Sequence, residues 1–238
     1  MTALLRQRGV FVTGTDTGVG KTLVSAGLVE LAVAAGRRTA VMKPVAAGCE
    51  DSGNGLCNDD ALTLIARSNV SADYATVNPY ALRPPIAPHL AARQAGITID
   101  AETLDTAFAH LCEISDFVVV EGAGGFLVPL ADGFDIGDLA ARFGLPVLLV
   151  VGLRLGCLNH ALLSVEAIAT RGLQLAGWVG SSIDPDFACA GENVATLRAL
   201  IAAPCLGIVP FLDEPAGTGS APFIDLQGGP DDESTLID

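Results

Sequence analysis

Short apolar runs alternate with amphipathic stretches along this chain, and the runs are mostly continuous rather than alternating apolar with polar. They cover residues 10–13, 39–43, 117–121, 147–151, 175–180 and 206–209. Unbroken runs of this length predict parallel strands covered on both faces. Between them, residues 21–35, 59–67, 101–112, 135–142, 158–171 and 191–202 carry helical spacing. The first of these ends before Gly36, a suitable C-terminal cap. An order of strand, helix, strand with such connections predicts an α/β fold, a doubly wound and mainly parallel sheet with helices on both faces. Ligands bind such sheets outside the carboxyl ends of the strands, so functional residues are expected just after them.

Composition narrows the class. The 238 residues suit one large domain able to bury roughly 70–75% of its unfolded surface. Half the residues are hydrophobic and only 5% aromatic, so the core is built from Val, Leu, Ile and Ala. A net charge of −14 argues against nucleic acid or an anionic membrane as partner. Seven acidic residues and no basic one fall in the last 26 positions. The expected organisation is therefore a single domain over 1–212 and an acidic, Gly/Pro-rich solvated tail over 213–238. No stretch reads as a signal peptide or membrane span; the longest apolar run, 145–153, is broken by Pro146 and Gly152. Six cysteines without CxxC spacing read as free thiols in a reducing compartment, and the expected location is the cytoplasm.

Chemistry concentrates where the first strand ends. Val10-Phe11-Val12-Thr13-Gly14-Thr15-Asp16-Thr17-Gly18-Val19-Gly20-Lys21-Thr22 is a strand, a glycine-rich turn and a helix start. Inward backbone N–H groups and the positive end of a helix dipole make a phosphate cradle there. Lys21 is positioned to reach the β- and γ-phosphates, and the Thr22 hydroxyl to ligate Mg²⁺. The loop holds five residues between Gly14 and Gly20, one more than the strict pattern. Lys43 closes the second strand; alone it reads as a surface lysine, but beside a phosphate loop a second cation serves phosphoryl transfer. Glu121 ends the third strand ahead of Gly122 and Gly124, which allow close backbone approach to phosphate or substrate. A carboxylate there suits a Mg²⁺ held by Thr22, because a strand-buried charge without a partner is costly. Asp59 and Asp60 open a helix and could serve as N-terminal caps.

Taken with Lys43-Pro44-Val45-Ala46, Asn78-Pro79-Tyr80, Pro88-His89, Val120-Glu121-Gly122-Ala123-Gly124-Gly125, Leu155-Gly156-Cys157-Leu158-Asn159-His160-Ala161 and Ala176-Gly177-Trp178-Val179, the loop resembles that of the dethiobiotin synthetases. The resemblance runs from about residue 10 to about residue 212. It implies a fold of the P-loop NTPase type and a homodimeric, ATP-dependent ligase with its substrate site at the interface. Such an enzyme closes a cyclic urea on 7,8-diaminononanoate with CO₂. By the same resemblance Thr17, Gly18, Val19, Gly20 and Lys21 cradle the nucleotide, and Thr17, Lys21 and Lys43 serve catalysis. Thr22, Asp60 and Glu121 are similar to the family's Mg²⁺ ligands. Ala47, Gly156, Cys157 and Asn159 match substrate positions, the last three reached from the partner subunit; without the resemblance they read as an ordinary helix cap. Ser181, Pro210, Phe211 and Leu212 match the base-binding region.

Departures from the family sharpen the reading. Ala47 stands where familiar members carry a serine, so a substrate-facing hydroxyl is missing. Ser181 and Ser182 stand where they often carry the Asn-Asp that reads adenine, which implies a loosened preference for ATP. Phe211 replaces a tryptophan found in some members, and both rings offer a π-face. The main rival class is a nucleotide-switch ATPase of the partitioning or division-site type; those usually carry a second lysine early in the loop, where this chain has Asp16. An amidotransferase synthetase of the same superfamily would need a glutaminase domain for which this length leaves no room.

Overall fold

All six predicted runs pair into one parallel sheet in the computed structural model, which describes residues 2–53, 55–212 and 219–227. Its strands are β1 (Gly9–Gly14), β2 (Thr39–Met42), β3 (Phe117–Gly125), β4 (Val147–Leu153), β5 (Leu175–Ser182) and β6 (Cys205–Val209). Their spatial order is β6-β5-β4-β1-β3-β2. The chain leaves β1 for the far edge at β2, returns through β3, and then crosses to β4 on the other side of β1. The direction of winding therefore reverses around β1, and the crevice lies at the carboxyl ends of β1, β3 and β4.

The continuous apolar runs are explained by two covered faces. Val10 and Val12 of β1 point into a layer with Val119, Leu148 and Val150, closed by α1 (Lys21–Ala34) and α2 (Asp59–Ile65). Phe11, between them, points the other way with Val118, Val120 and Val147. α3 (Tyr74–Val77) adds Val77 to the first layer, and the second is closed by α4 (Pro88–Gln94), α5 (Ala101–Ile114), α6 (Ile136–Phe143), α7 (Cys157–Thr170) and α8 (Ala190–Leu200). Helix ends follow local chemistry. Asp135 caps α6 in a reciprocal capping box with Asp138, and Gly144 ends it at φ 62°.

Several elements carry too few residues to show a period. Val45–Ala47 pairs in parallel with Tyr80–Leu82, Glu50–Asp51 pairs with Leu56–Cys57, and Pro129–Ala131 pairs with Phe134–Asp135. Residues 219–227 belong to the stretch expected as a tail, yet they pack on the body. Ile224 joins the α1 core layer, and the buried Ser220 hydroxyl donates to Leu23 O at 2.5 Å. The rest of that expected tail, 213–218 and 228–238, lies outside the described residues. All six cysteines are free thiols. Among the described residues no helix is long and apolar enough to cross a membrane.

Candidate active site

The base of the phosphate loop is tied to the sheet by backbone. Thr15 N–H donates to Val150 O at 3.0 Å, and Gly152 N–H donates to Thr15 Oγ1 at 3.3 Å. The loop enters α1 through Gly20 at φ 85°, and a Cβ there would stand 2.5 Å from Ser181 Oγ. Glycine is required at that turn on both counts. Lys21, the first residue of α1, is 7% exposed and donates from Nζ to Asp16 O at 2.8 Å. Burial, and then repulsion from Lys43, lower its pKa from 10.5 to about 8.

Strand register assembles the charged cluster. Met42 pairs with Val120 and Val12 pairs with Glu121, so Lys43 emerges beside Glu121 directly under the loop. Glu121 is fully buried, and one of its oxygens, Oε1, accepts from Thr22 Oγ1 at 2.9 Å and from Lys43 Nζ at 2.5 Å. Lys43 Nζ also donates to Asp60 Oδ2 at 2.8 Å. Burial opposes charge on Lys43, but Glu121 and Asp60 together outweigh it and hold the ammonium above its ordinary pKa. Burial likewise pushes Asp60 up, and the attraction of Lys43 more than reverses it, leaving the carboxyl below its usual range. The second Glu121 oxygen, Oε2, is buried with no partner among the described residues. A buried, unpaired carboxylate oxygen is costly unless something binds it. Thr22, Lys43, Asp60 and Glu121, drawn from four separate elements, are thus brought into direct contact, with Lys21 close by.

A relay that the sequence did not reveal holds this cluster in place. Asn58 caps α2 by accepting from Asp60 N–H and Ala61 N–H, and its own N–H donates to Tyr74 Oη at 2.8 Å. Tyr74 Oη donates to Asn78 Oδ1 at 3.0 Å, and the buried Asn78 donates from Nδ2 to Lys43 O at 2.6 Å. The helix that carries Asp60 and the strand end that carries Lys43 are therefore joined through one phenol. Burial raises the Tyr74 pKa from 10.0 to about 12. The Asn78-Pro79-Tyr80 motif was the available signal, but the distance of Tyr74 and Asn58 along the chain concealed the link.

The other predicted residues fall into distinct places. Thr17 and Gly18 are exposed at the loop tip and Val19 is buried beneath it. Gly124, at φ 64°, packs against Val128, whose Cγ2 a Cβ would meet at 2.9 Å, with Thr17 Oγ1 next at 3.4 Å. Gly122 instead leaves room for Phe11 and Ile136 at 3.2 Å, so its small size serves strand packing. Ala47 ends its short strand, half-buried. Ser181 is buried against the loop, Phe211 is exposed, and Leu212 packs at the edge of the core. Gly156, at φ 97°, caps α7. The Cys157 side chain is buried with Leu149 and Ala161, so its thiol faces core and only its backbone borders the helix start. Cys157 N–H is itself engaged by Arg154 O at 3.0 Å. Within the chain, no hydrogen bond or ion pair among the described residues joins Gly156, Cys157 or Asn159 to Lys21, Lys43, Asp60 or Glu121. Beside the loop, a cleft of about 300 Å³ is lined by Asp16, Leu127, His160 and Leu163.

Known proteins bear on this arrangement. A family model described as an AAA domain matches residues 8–217. The ATP-dependent dethiobiotin synthetase of Chromohalobacter salexigens is 56% identical over 214 residues, covering 85% of this chain and 89% of that one. Its namesake in Pseudomonas aeruginosa PAO1 is 51% identical over 218 residues, covering 91% and 96%. That of Ralstonia nicotianae is 52% identical over 216 residues, covering 91% and 94%. Among solved structures, the MinC:MinD cell division complex of Aquifex aeolicus aligns with TM-score 0.54 at 15% identity, over 87% of this chain and 83% of that chain. The signal recognition particle receptor FtsY of Elizabethkingia anophelis aligns with TM-score 0.51 at 16% identity, over 84% and 56%. At these identities the structural likeness speaks for the fold alone.

Proposed function

Since this chain belongs to the family of ATP-dependent dethiobiotin synthetases, we propose that it converts 7,8-diaminononanoate, CO₂ and ATP into dethiobiotin, ADP and phosphate. The observation that carries the reading to the residues is the contact of Lys43 with Glu121 and Asp60 beneath the phosphate loop. A generic nucleotide site needs Lys21 and Thr22; a second buried ammonium suits an enzyme that must also neutralise a carbamate.

The chemistry asks for charge stabilisation and alignment rather than a nucleophilic side chain. One substrate amine captures CO₂ as a carbamate. The carbamate oxygen takes the γ-phosphoryl group of ATP, giving a mixed anhydride. The second amine then attacks the carbonyl carbon and phosphate leaves, closing the urea ring. The N–H groups of residues 17–21 and the Lys21 ammonium hold the phosphates in this reading, and Lys43 neutralises the carbamate and the transferring group. Lys21 gains basicity when phosphate charge arrives, since its low pKa comes from burial and from Lys43.

Magnesium fits the donors present. The Thr22 hydroxyl and the Asp60 and Glu121 carboxylates are hard oxygen ligands, and among the described residues Glu121 Oε2 has no other partner. Bound there, the ion would neutralise charge on the β- and γ-phosphates. Asp60 and Glu121 would exchange Lys43 for it, freeing that ammonium toward the substrate.

A homodimer follows from the same reading. Leu155, Leu163 and Leu127 are 90%, 57% and 55% exposed on and beside α7, an apolar surface that a second copy would cover. The N–H groups of Leu158 and Asn159, free of protein partners among the described residues, suit the substrate's distal carboxylate. A cytoplasmic location accords with the free thiols.

Phosphate release from MgATP tests the function. Release should depend strictly on both 7,8-diaminononanoate and bicarbonate, with dethiobiotin formed in equal amount. Release that ignores the diamine but responds to DNA or lipid would overturn the reading in favour of a switch ATPase.

A further inference from the structure

The tip of the phosphate loop is held differently from its base. Thr15 N–H donates to Val150 O, and the Thr15 hydroxyl accepts from Gly152 N–H. Beyond it, Asp16 holds two parts of the loop in place. Its Oδ1 accepts from Thr17 N–H at 2.7 Å, and its main-chain oxygen accepts from Lys21 Nζ. Its other carboxylate oxygen, Oδ2, pairs with Arg154 Nη2 at 2.6 Å. Among the described residues Arg154 is the side chain from outside the loop that grips this tip. Arg154 also stands at the turn into α7, where its carbonyl accepts from Cys157 N–H at 3.0 Å.

From this geometry we propose that Arg154 is a positioning residue: through Asp16 it fixes the Thr17 N–H and Lys21 in the phosphate loop, and it ties that loop to the start of α7. The proposal rests on the functional reading above for one consequence only. If the start of α7 seats the substrate carboxylate of the partner subunit, the Arg154–Asp16 pair links nucleotide binding in one subunit to diamine binding in the other.

The pair is half-exposed, with side chains 41% and 48% accessible, so it adds little to global stability. Its effect is on orientation. Asp16 released from Arg154 keeps its bonds to Thr17 N–H and Lys21 Nζ but loses the outside anchor that holds the loop tip, and with it the Lys21 ammonium, in one place. Rigid aim of N–H donors is what a phosphate cradle requires. Arginine suits the role because its planar fork loses little freedom on pairing.

The test is MgADP affinity by calorimetry on the full chain, with melting temperature followed in parallel. R154M and D16A should each weaken MgADP by about fivefold, the upper range for a half-exposed ion pair. The double variant R154M/D16A should be no weaker than either single change, and R154K should recover most of the affinity. Melting temperatures should stay near that of the parent. In turnover, R154M should lower kcat, because Lys21 is less firmly held, and should also raise KM for the diamine. An R154M protein with parental MgADP affinity, or a double variant whose loss is the product of the two single losses, overturns the role of Arg154. An unchanged diamine KM in R154M overturns the link to α7. Absence of diamine-dependent turnover in the parent strikes the synthetase reading instead, since MgADP binding is measured without the diamine.

Discussion

The Lys43 ammonium lies 2.5 Å from the Glu121 carboxylate, and their side chains are 5% and 0% exposed. The two lysines of the site are therefore not equivalent in what they support. Lys21 leans on a backbone carbonyl, whereas Lys43 neutralises a fully buried carboxylate.

Replacing either lysine by alanine should reduce dethiobiotin formation by orders of magnitude, but only one change should strain the fold. Lys43→Ala leaves Glu121 buried with Thr22 as its one donor, and should cost about 3 kcal/mol, the lower end for breaking a buried pair. Lys21→Ala removes a desolvated charge and should cost far less. Denaturant unfolding of the two variants checks the difference; equal losses would contradict the pairing.

Asp60 offers the cleanest probe of the metal reading, because its side chain is 43% exposed and tolerates change. Asp60→Asn should weaken Mn²⁺ binding, followed by electron paramagnetic resonance with ADP present, by at least about tenfold, an effect seen even for outer-shell changes. Its melting temperature should hold. Unaltered Mn²⁺ affinity would remove Asp60 from the ligand set.

Tyr74 links pH to the site. In the unfolded chain its phenol ionises near 10.0, and in the folded protein near 12. Between those values the unfolded form has lost the proton that the folded form keeps, so stability falls as pH rises through that window. Tyr74→Phe should abolish that part of the slope. It should also lower kcat by loosening Lys43 relative to Asp60. Absorbance titration of the two tyrosines in the folded protein checks the value directly; two groups both ionising near 10 would refute it.

Ser181 bears on the nucleotide base. One lost base-reading hydrogen bond is worth about 1 kcal/mol, or roughly fivefold. Competition among ATP, CTP and GTP should therefore show a weak preference for ATP, and Ser181→Asn should strengthen it by about that factor. Strong ATP selectivity in the parent would sink the idea.

The apolar face on α7 predicts assembly. Leu163→Glu should convert a dimer into monomers in sedimentation velocity and depress turnover together. A parent protein that sediments as a monomer at micromolar concentration would dispose of the interface.

Much of this protein was legible before any coordinates. Continuous apolar runs require strands covered on both faces, and all six joined the sheet because burial of Val, Leu and Ile leaves few other arrangements. The loop from Gly14 to Thr22 declared itself because backbone geometry around a phosphate demands glycine and lysine at close spacing. Lys43 and Glu121 could be suspected because they close apolar runs, although the strand carrying Glu121 continues to Gly125. Only the tertiary structure decided which atoms meet. Parallel register set Lys43 against Glu121, and α2 delivered Asp60 to the same ammonium. The Asn58–Tyr74 bond, 16 residues apart, and the Arg154–Asp16 pair, 138 residues apart, leave no period or spacing to read. The segment 219–227 shows the same limit. The acidic, Gly/Pro-rich stretch 213–238 reads as a solvated tail, yet within it Phe223, Ile224 and Leu226 pack on the core beside α1 and Ser220 bonds to Leu23. Local pattern records what each residue tends to do; contact across the fold decides which partner it finds, because that depends on register and packing rather than on neighbours in sequence.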